Sequence, residues 1–458
     1  MMAKVYKEGG LQQTKRADMS VLQGECVGGG SIINNAVCYK MPSIVKEKWE
    51  RDYGLSLSGL EDAYNQIGRE LGIAPLGAGG INQQVANRFI QGVNAFNSSL
   101  SSSAKPLQQA KIADVNGVNA IGDGLWNLGN KYLRKRSMLE TYIPWAESNG
   151  LSANQEKGVS VSSNTTAIQF DHQNGCATSV LIRLASGQLK RVKVRKAVVV
   201  AGGTIASSHF LMRSGVARPV GQRMSCNFAM PLVFTFKEKI RAYDGEQITM
   251  GAIDGESRMV FETYFNPPSA FGLSLPFYFG RHTQLMNQYE QLLNFGVLIG
   301  SEPNGTILPK ADLLNGRAFT WRLGTTDQQN IRYALKTLLR IGQGAGALNA
   351  TVPLQPGIEF DLSPGNITQF DRFIDTYPLS TSTIHLNTAH PQGGNLMAGP
   401  TASNEILDQR VVDETFRVIG YSNVFVADAS VFPTSMHLNP QWTIMAMSSL
   451  AAQNVLGI

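Results

Sequence analysis

His390 is followed at once by Pro391, Gln392, Gly393 and Gly394, and further along come Asp428-Ala429-Ser430 and Asn439-Pro440-Gln441-Trp442-Thr443. A neutral imidazole exchanges a proton readily, because its ordinary pKa of about 6.5 lies near neutrality. An asparagine amide can donate to an oxygen that gains negative charge. Asn439 is a good helix N-cap and Pro440 suits the first helical position, so a helix is expected to begin there. Residues 442–456 are apolar nearly all round, which predicts a buried helix whose positive dipole end points inward, toward an anion. A lone histidine is as readily a packing residue as a base. The chain has only six, so one set beside a proline and two glycines stands out, but the residues alone leave both readings open.

Two glycine turns offer cradles for a ligand. Gly28-Gly29-Gly30-Ser31, with Asn34 and Asn35 close behind, removes every Cβ from one turn and adds hydrogen-bonding groups beside it. A glycine turn taken alone is more often structural punctuation. The second follows the apolar run Ala197-Val198-Val199-Val200-Ala201, which reads as a buried strand, and passes through Gly202-Gly203 into a helical stretch. A strand turning through glycine into a helix leaves free N–H groups suited to phosphate, although an ordinary strand–helix unit packs the same way. Neither turn matches G-x-G-x-x-G.

These groups need a scaffold, and the chain is long enough to supply one. Its 458 residues are 43% hydrophobic and 16% charged, a globular composition for one large domain or several interleaved ones. A helix is expected near Ser43–Tyr53, and Leu60, Tyr64, Ile67 and Leu71 form one apolar helical stripe. Short strands are expected at 159–161 and 180–184, strand-like runs at 232–236 and 259–265, and helices at 283–293 and 328–341. The pattern is α/β, with a nucleotide-type domain interrupted by a mixed, mainly antiparallel part. A net charge of +6 is small for this length. The densest basic stretches, 132–136 and 190–196, read as solvated surface, not a nucleic-acid footprint. Cys26, Cys38, Cys176 and Cys226 show no metal spacing and no disulfide framework, which favours a reducing, cytoplasmic setting. No apolar run is long enough to span a membrane, although peripheral association stays open.

Taken together, the three constellations resemble the glucose–methanol–choline oxidoreductases, particularly the cholesterol-oxidase-like and long-chain-alcohol-oxidase-like branches. The likeness rests on 28–35, on Gly203-Thr204-Ile205-Ala206-Ser207-Ser208 through Ser214-Gly215, and on Asp428-Ala429-Ser430 through Asn439-Pro440 and Thr443, in that order. It implies an FAD-binding, Rossmann-like domain made of 1–60, 131–225 and 385–458, and a substrate domain made of 61–130 and 226–384. It implies oxidation of an alcohol, with His390 as base, Asn439 as its partner and hydride passing to flavin N5. Gly28, Gly29, Gly30, Ser31, Asn34, Asn35, Gly203, Asp428, Ala429, Asn439, Pro440 and Thr443 would hold the FAD. Ile33 stands where some members carry a histidine bonded to the flavin, so non-covalent FAD is expected.

Three further points follow from the likeness. His437 reads either as a second active-site histidine or as a loop residue, and His385 as structural. The family's opening strand, G-x-G-x-x-G turn and helix has no counterpart here, so the FAD-binding domain is expected to be incomplete. The alternative function is therefore a truncated, inactive remnant or a partner subunit that binds little flavin. A hydrolase lacks its G-x-S-x-G elbow, and a nicotinamide dehydrogenase lacks its fingerprint. Aromatics in the presumed substrate part (Phe261, Tyr264, Phe265, Phe271, Phe277, Tyr278, Phe279) hint at a lipophilic alcohol, although such residues are often plain core. The electron acceptor is read as oxygen or a quinone-like carrier.

Overall fold

The long strand Gln222–Thr235 organises one half of the molecule in this computed structural model, which describes residues 2–10, 12–77, 81–111, 113–114, 135–148, 159–256, 258–309 and 318–457. It pairs antiparallel with Leu292–Gly300, which pairs with Met259–Tyr264, then Met250–Ile253, then Gln108–Lys111. On its other side Leu386–Thr388 joins antiparallel and carries Met19–Val21 in parallel. Pro391–Gly394 pairs with the start of the long strand.

Alternation along these strands separates two faces. Phe228, Met230, Leu232 and Phe234 turn to one side, where they pack in a core with Phe295, Val297, Phe261 and the helices Gln83–Ser98 and Thr325–Gly344. Ala229, Pro231, Gly296 and Glu262 turn to the other side, which lines a cleft. Small side chains there leave room.

The second half gathers its own core. Helices Ser43–Tyr53 and Leu60–Leu71 bury Val45, Trp49, Leu60, Tyr64 and Ile67. The expected apolar stripe is the buried face, and both helices end at a left-handed glycine, Gly54 and Gly72. Against them pack the helices Thr204–Arg213 and Gln441–Leu456 and a parallel pair, Val198–Val200 with Val424–Val426. A separate antiparallel sheet comprises Thr166–Gln173, Cys176–Arg183 and Leu189–Lys193.

Several expectations are corrected. Residues 159–161 form no strand, and Val159 and Val161 are exposed, because two alternating valines find no partner to pair with. The predicted helix over 283–293 runs instead from Phe279 to Asn287, with the strand Leu292–Gly300 starting where helix was expected. The Val198–Val200 strand is not buried throughout: Val199 is 46% exposed, because its side chain alternates to the face opposite Val198 and Val200, which pack in the core. Of the basic stretch 132–136, residues 132–134 lie outside the described residues. Lys135 is buried, not solvated.

Candidate active site

A cleft of about 3100 Å³ separates the two halves. That exceeds a drug-sized site several-fold, a typical one being ~300–1,000 Å³. One wall carries the first glycine turn. Gly28 and Gly29 take positive φ of 91° and 55°, which a side chain would strain. A Cβ at Gly29 or Gly30 would meet no protein atom within 4 Å, so both open onto the cleft. Ser31 closes the turn by donating to the Gly28 carbonyl at 2.6 Å and accepting from the Met138 N–H at 3.0 Å. Asn34 accepts from the Ala36 N–H at 3.0 Å and donates to the Gln441 side chain. The Oδ1 of Asn35 is buried without a hydrogen-bond partner.

Lys135, missed in the sequence, supports this turn from behind. Its Nζ donates to the carbonyls of Ile32 at 2.6 Å and Asn34 at 2.9 Å. Burial pushes its ammonium down to about 7. Nothing in a short basic run signals that its lysine turns inward.

The opposite wall begins at the second glycine turn. There the Gly203 N–H donates to Asp428 Oδ2 at 2.9 Å, as does the Ser207 hydroxyl at 2.5 Å. The other carboxylate oxygen accepts from the Ser430 N–H at 2.9 Å. Asp428 thus ties two loops together, at the helix end where free N–H groups were expected. Gly202, Gly203, Asp428 and Ala429 all line the cleft.

His390 stands at the junction of the two halves. Its backbone N–H donates to Thr388 Oγ1 at 3.0 Å, and that hydroxyl donates to the Asn227 carbonyl at 2.7 Å. Gly393 and Gly394 follow with positive φ, and a Cβ on Gly393 would lie 2.5 Å from the Arg223 carbonyl. The glycines let the turn press against the long strand. Burial lowers the imidazole to about 4, so the ring is neutral at pH 7.

Asn227, also missed, links His390 to Asn439. Its amide oxygen accepts from Ser435 Oγ at 2.5 Å and from Gln392 Nε2 at 3.3 Å. Its Nδ2 donates to the Leu438 carbonyl at 2.6 Å and lies 3.3 Å from His390 Nδ1. One fully buried amide therefore touches the histidine and the residue before Asn439. A single asparagine in a strand carries no motif, which is why spacing did not reveal it.

Asn439 and Pro440 line the cleft. The helix they introduce begins at Gln441, with Pro440 in the cap position and no side-chain cap bond, so the expected Asn439 cap is corrected. The Oδ1 of Asn439 is buried and lacks a partner. The helix is also less buried than expected: Thr443, Ala446, Met447 and Ala451 face the core, while Gln441, Ile444, Met445 and Ser448 line the cleft. An all-round apolar helix here has one packed side and one side open to the cleft. Thr443 is turned away from the cleft and bonds the Tyr64 hydroxyl at 2.6 Å. His437 packs against Gly300 and is absent from the described cleft wall, and His385 is exposed.

Of the seven aromatics, only Tyr264 reaches the cleft. Phe261 and Phe265 lie in the sheet's core, Phe271 and Phe277 in a satellite cluster, and Tyr278 and Phe279 are exposed. Four of the seven are therefore packing and two are surface residues, which leaves Tyr264 as the one that can bear on a substrate.

Comparison with known proteins agrees with this architecture. Models of the GMC oxidoreductase family match residues 2–229 and 301–448. The chain belongs to the GMC oxidoreductase family. It is 25% identical to an uncharacterized GMC-type oxidoreductase of Sinorhizobium fredii, over 99% of this chain and 85% of that protein. It is 23% identical to a long-chain-alcohol oxidase of Arabidopsis thaliana, over 100% of this chain but only 62% of the plant protein, less than two thirds of its length. The fold is shared with pyridoxine 4-oxidase from Mesorbium loti (TM-score 0.64, 14% identity, 94% of this chain and 84% of that one). It is shared also with Aspergillus oryzae formate oxidase (TM-score 0.68, 12% identity, 99% and 91%). Among the described residues no helix is long and apolar enough to cross a membrane.

Proposed function

We propose that this chain is an FAD-dependent oxidoreductase acting on CH–OH groups, with the alcohol held between His390 and Asn439. The observation that carries this is the Asn227 amide, which reaches both the His390 ring and the Leu438 carbonyl beside Asn439 on the wall of one cleft. The residues present suit a flat, anion-forming cofactor. The open glycine turn at 28–30 would accept a planar ring, and the unpartnered oxygens of Asn35 and Asn439 would accept from its N–H groups. Gly28, Gly29, Gly30, Asn35, Ala429, Asn439 and Pro440 would hold it, without a covalent bond, since Ile33 offers no nucleophile. When bound, flavin supplies the hydride acceptor, its N5. A remnant that binds no flavin would leave these unpartnered oxygens at a cost without a use.

The chain's own residues then manage the proton. A hydroxyl-bearing carbon loses hydride easily only as its oxygen loses H⁺. His390, neutral and part-buried, takes that proton on a ring nitrogen, and the Asn439 amide N–H₂ donates to the oxygen left behind. The relatives named above as alcohol and pyridoxine oxidases support this reaction class.

One contact favours a second division of labour. With Asn227 Nδ2 donating to His390 Nδ1, the neutral ring carries its proton on Nε2 and would donate to the alcohol oxygen. Replacing Asn227 with Asp separates the two readings. A carboxylate would hold a proton on Nδ1 and free Nε2 as acceptor, so a rise in rate identifies His390 as the base, whereas a fall also follows from losing the bond to the Leu438 carbonyl.

The test of the whole reading is direct. The purified chain, supplied with FAD, should show flavin absorbance that alcohols bleach without oxygen. His390→Ala should slow that bleaching by ~10²–10⁴-fold. Bleaching at the parent rate would remove His390 from the chemistry, and absence of bound flavin would remove the oxidoreductase reading altogether.

A further inference from the structure

Glu262 has no role in the proton transfer above, yet it faces the same cleft. It stands in the row Pro231, Gly296, Glu262, Gly251 that crosses four strands. Only 5% exposed, it forms no ion pair with any described residue, and its Oε1 is buried without a hydrogen-bond partner. Burial alone pushes the carboxyl up to about 8, so it is neutral at pH 7 and carries an O–H. The Tyr39 hydroxyl is likewise buried and unpartnered, with its ionisation opposed in part by Glu262. The polar side chain of Asn294, on the neighbouring strand and paired across from Tyr264, is buried beside them. The cleft wall continues through Tyr264, Asn266 and Ser274. Polar groups left unpaired inside a protein are rare unless something outside the chain pairs with them.

The sheet fixes how far this polar end lies from His390. Asn227, which touches the ring, and Pro231 share one strand face, and Glu262 is two strands across from Pro231. Four residues at ~3.4 Å and two strand spacings at ~4.8 Å put the α-carbons of Asn227 and Glu262 on the order of 15 Å apart. A carboxyl at that separation addresses a different part of the substrate from the reacting carbon.

We propose that Glu262 is a specificity residue that hydrogen-bonds a second, uncharged hydroxyl at the far end of the alcohol, so that the preferred substrates are diol-like and not plain hydrocarbon alcohols. This rests on the alcohol-oxidising reading. A neutral carboxyl gives one hydrogen bond and accepts another, which matches a hydroxyl. An ammonium group would demand the ionised form that burial opposes. Leaving the carboxyl facing a terminal methyl forfeits its bonds, which is how a buried polar site rejects an apolar analogue.

The experiment compares α,ω-diols from hexanediol to dodecanediol with the matching mono-alcohols, for the FAD-loaded parent, Glu262→Gln and Glu262→Leu. At one chain length the parent should prefer the diol in kcat/KM by about tenfold or more. In Glu262→Leu that ratio should collapse to near one, through a rise in KM for the diol. Glu262→Gln, which keeps a donor and an acceptor in place, should retain most of it. An unchanged ratio in Glu262→Leu, or a stronger preference for amino-alcohols than for diols, overturns the proposal. If the parent oxidises no alcohol, the oxidoreductase reading fails by itself, and calorimetric binding of the same pairs decides about Glu262. A diol advantage lost in Glu262→Leu supports it, and equal or absent binding overturns it.

Discussion

Two helix N-termini point into the cleft, and the chain treats them in opposite ways. At Thr204–Arg213 the approach is closed by the protein's own anion, Asp428, bonded to Gly203 N–H, Ser207 Oγ and Ser430 N–H. At Gln441–Leu456 no side chain caps the helix, and the Asn439 oxygen beside it lacks a partner. Both ends carry the same partial positive charge. The fold uses the first for its own cohesion, and the second is the one we propose a ligand meets.

Making the second terminus like the first should have the largest effect. Asn439→Asp supplies an internal anion there and removes a donor, so alcohol-dependent flavin reduction should fall ~10²–10³-fold with the melting temperature nearly unchanged. Stopped-flow absorbance and calorimetry read the two quantities, and a parent-like rate would show that the termini do not differ in use.

The reverse change should act on stability. Asp428→Asn weakens three charge-assisted bonds and should cost about 2 kcal/mol in urea unfolding. Lost flavin binding with full stability would sharpen the contrast differently, by placing Asp428 on the ligand.

The helix Gln83–Ser98 gives a reference away from the site, since Asn82 caps it through the N–H groups of Gln84 and Val85 at 3.0 and 3.3 Å. Asn82→Ala should cost about 1 kcal/mol and leave the flavin spectrum alone. A spectral change there would mean that any loosened helix end disturbs the cleft.

How much of this was legible depends on the range of the interaction that fixes each feature. Ser43–Tyr53 was readable to the residue because Pro42 and Gly54 bound it locally. The glycine turns, His390 and Asn439 could be named because residue type and order along the chain carry the family likeness. Placement within the cleft was another matter. Thr443 looks like a cleft residue from its position in the closing segment, but Tyr64, far away in sequence, draws its hydroxyl to the opposite side of the helix. Asn227 and Glu262 are isolated polar residues in strands. Their meaning comes from partners, or from a lack of partners, that only strand register reveals. The aromatics of the sheet were ambiguous for a related reason: alternation assigns two faces but does not say which face is the core.

The half-open strand Val198–Val200 gives the cleft a built-in reporter. With Val424–Val426 on one side only, the peptide group of Val199 faces the cleft side, where no described strand shields it. Its amide hydrogen should therefore trade with deuterium from solvent much faster than those of Val198 and Val200, which bond across the pair. Anything that settles along that wall, coloured or colourless, will slow this one exchange before it alters the global melting curve. Labelling of Val199 can thus follow occupancy of the cleft without a chromophore.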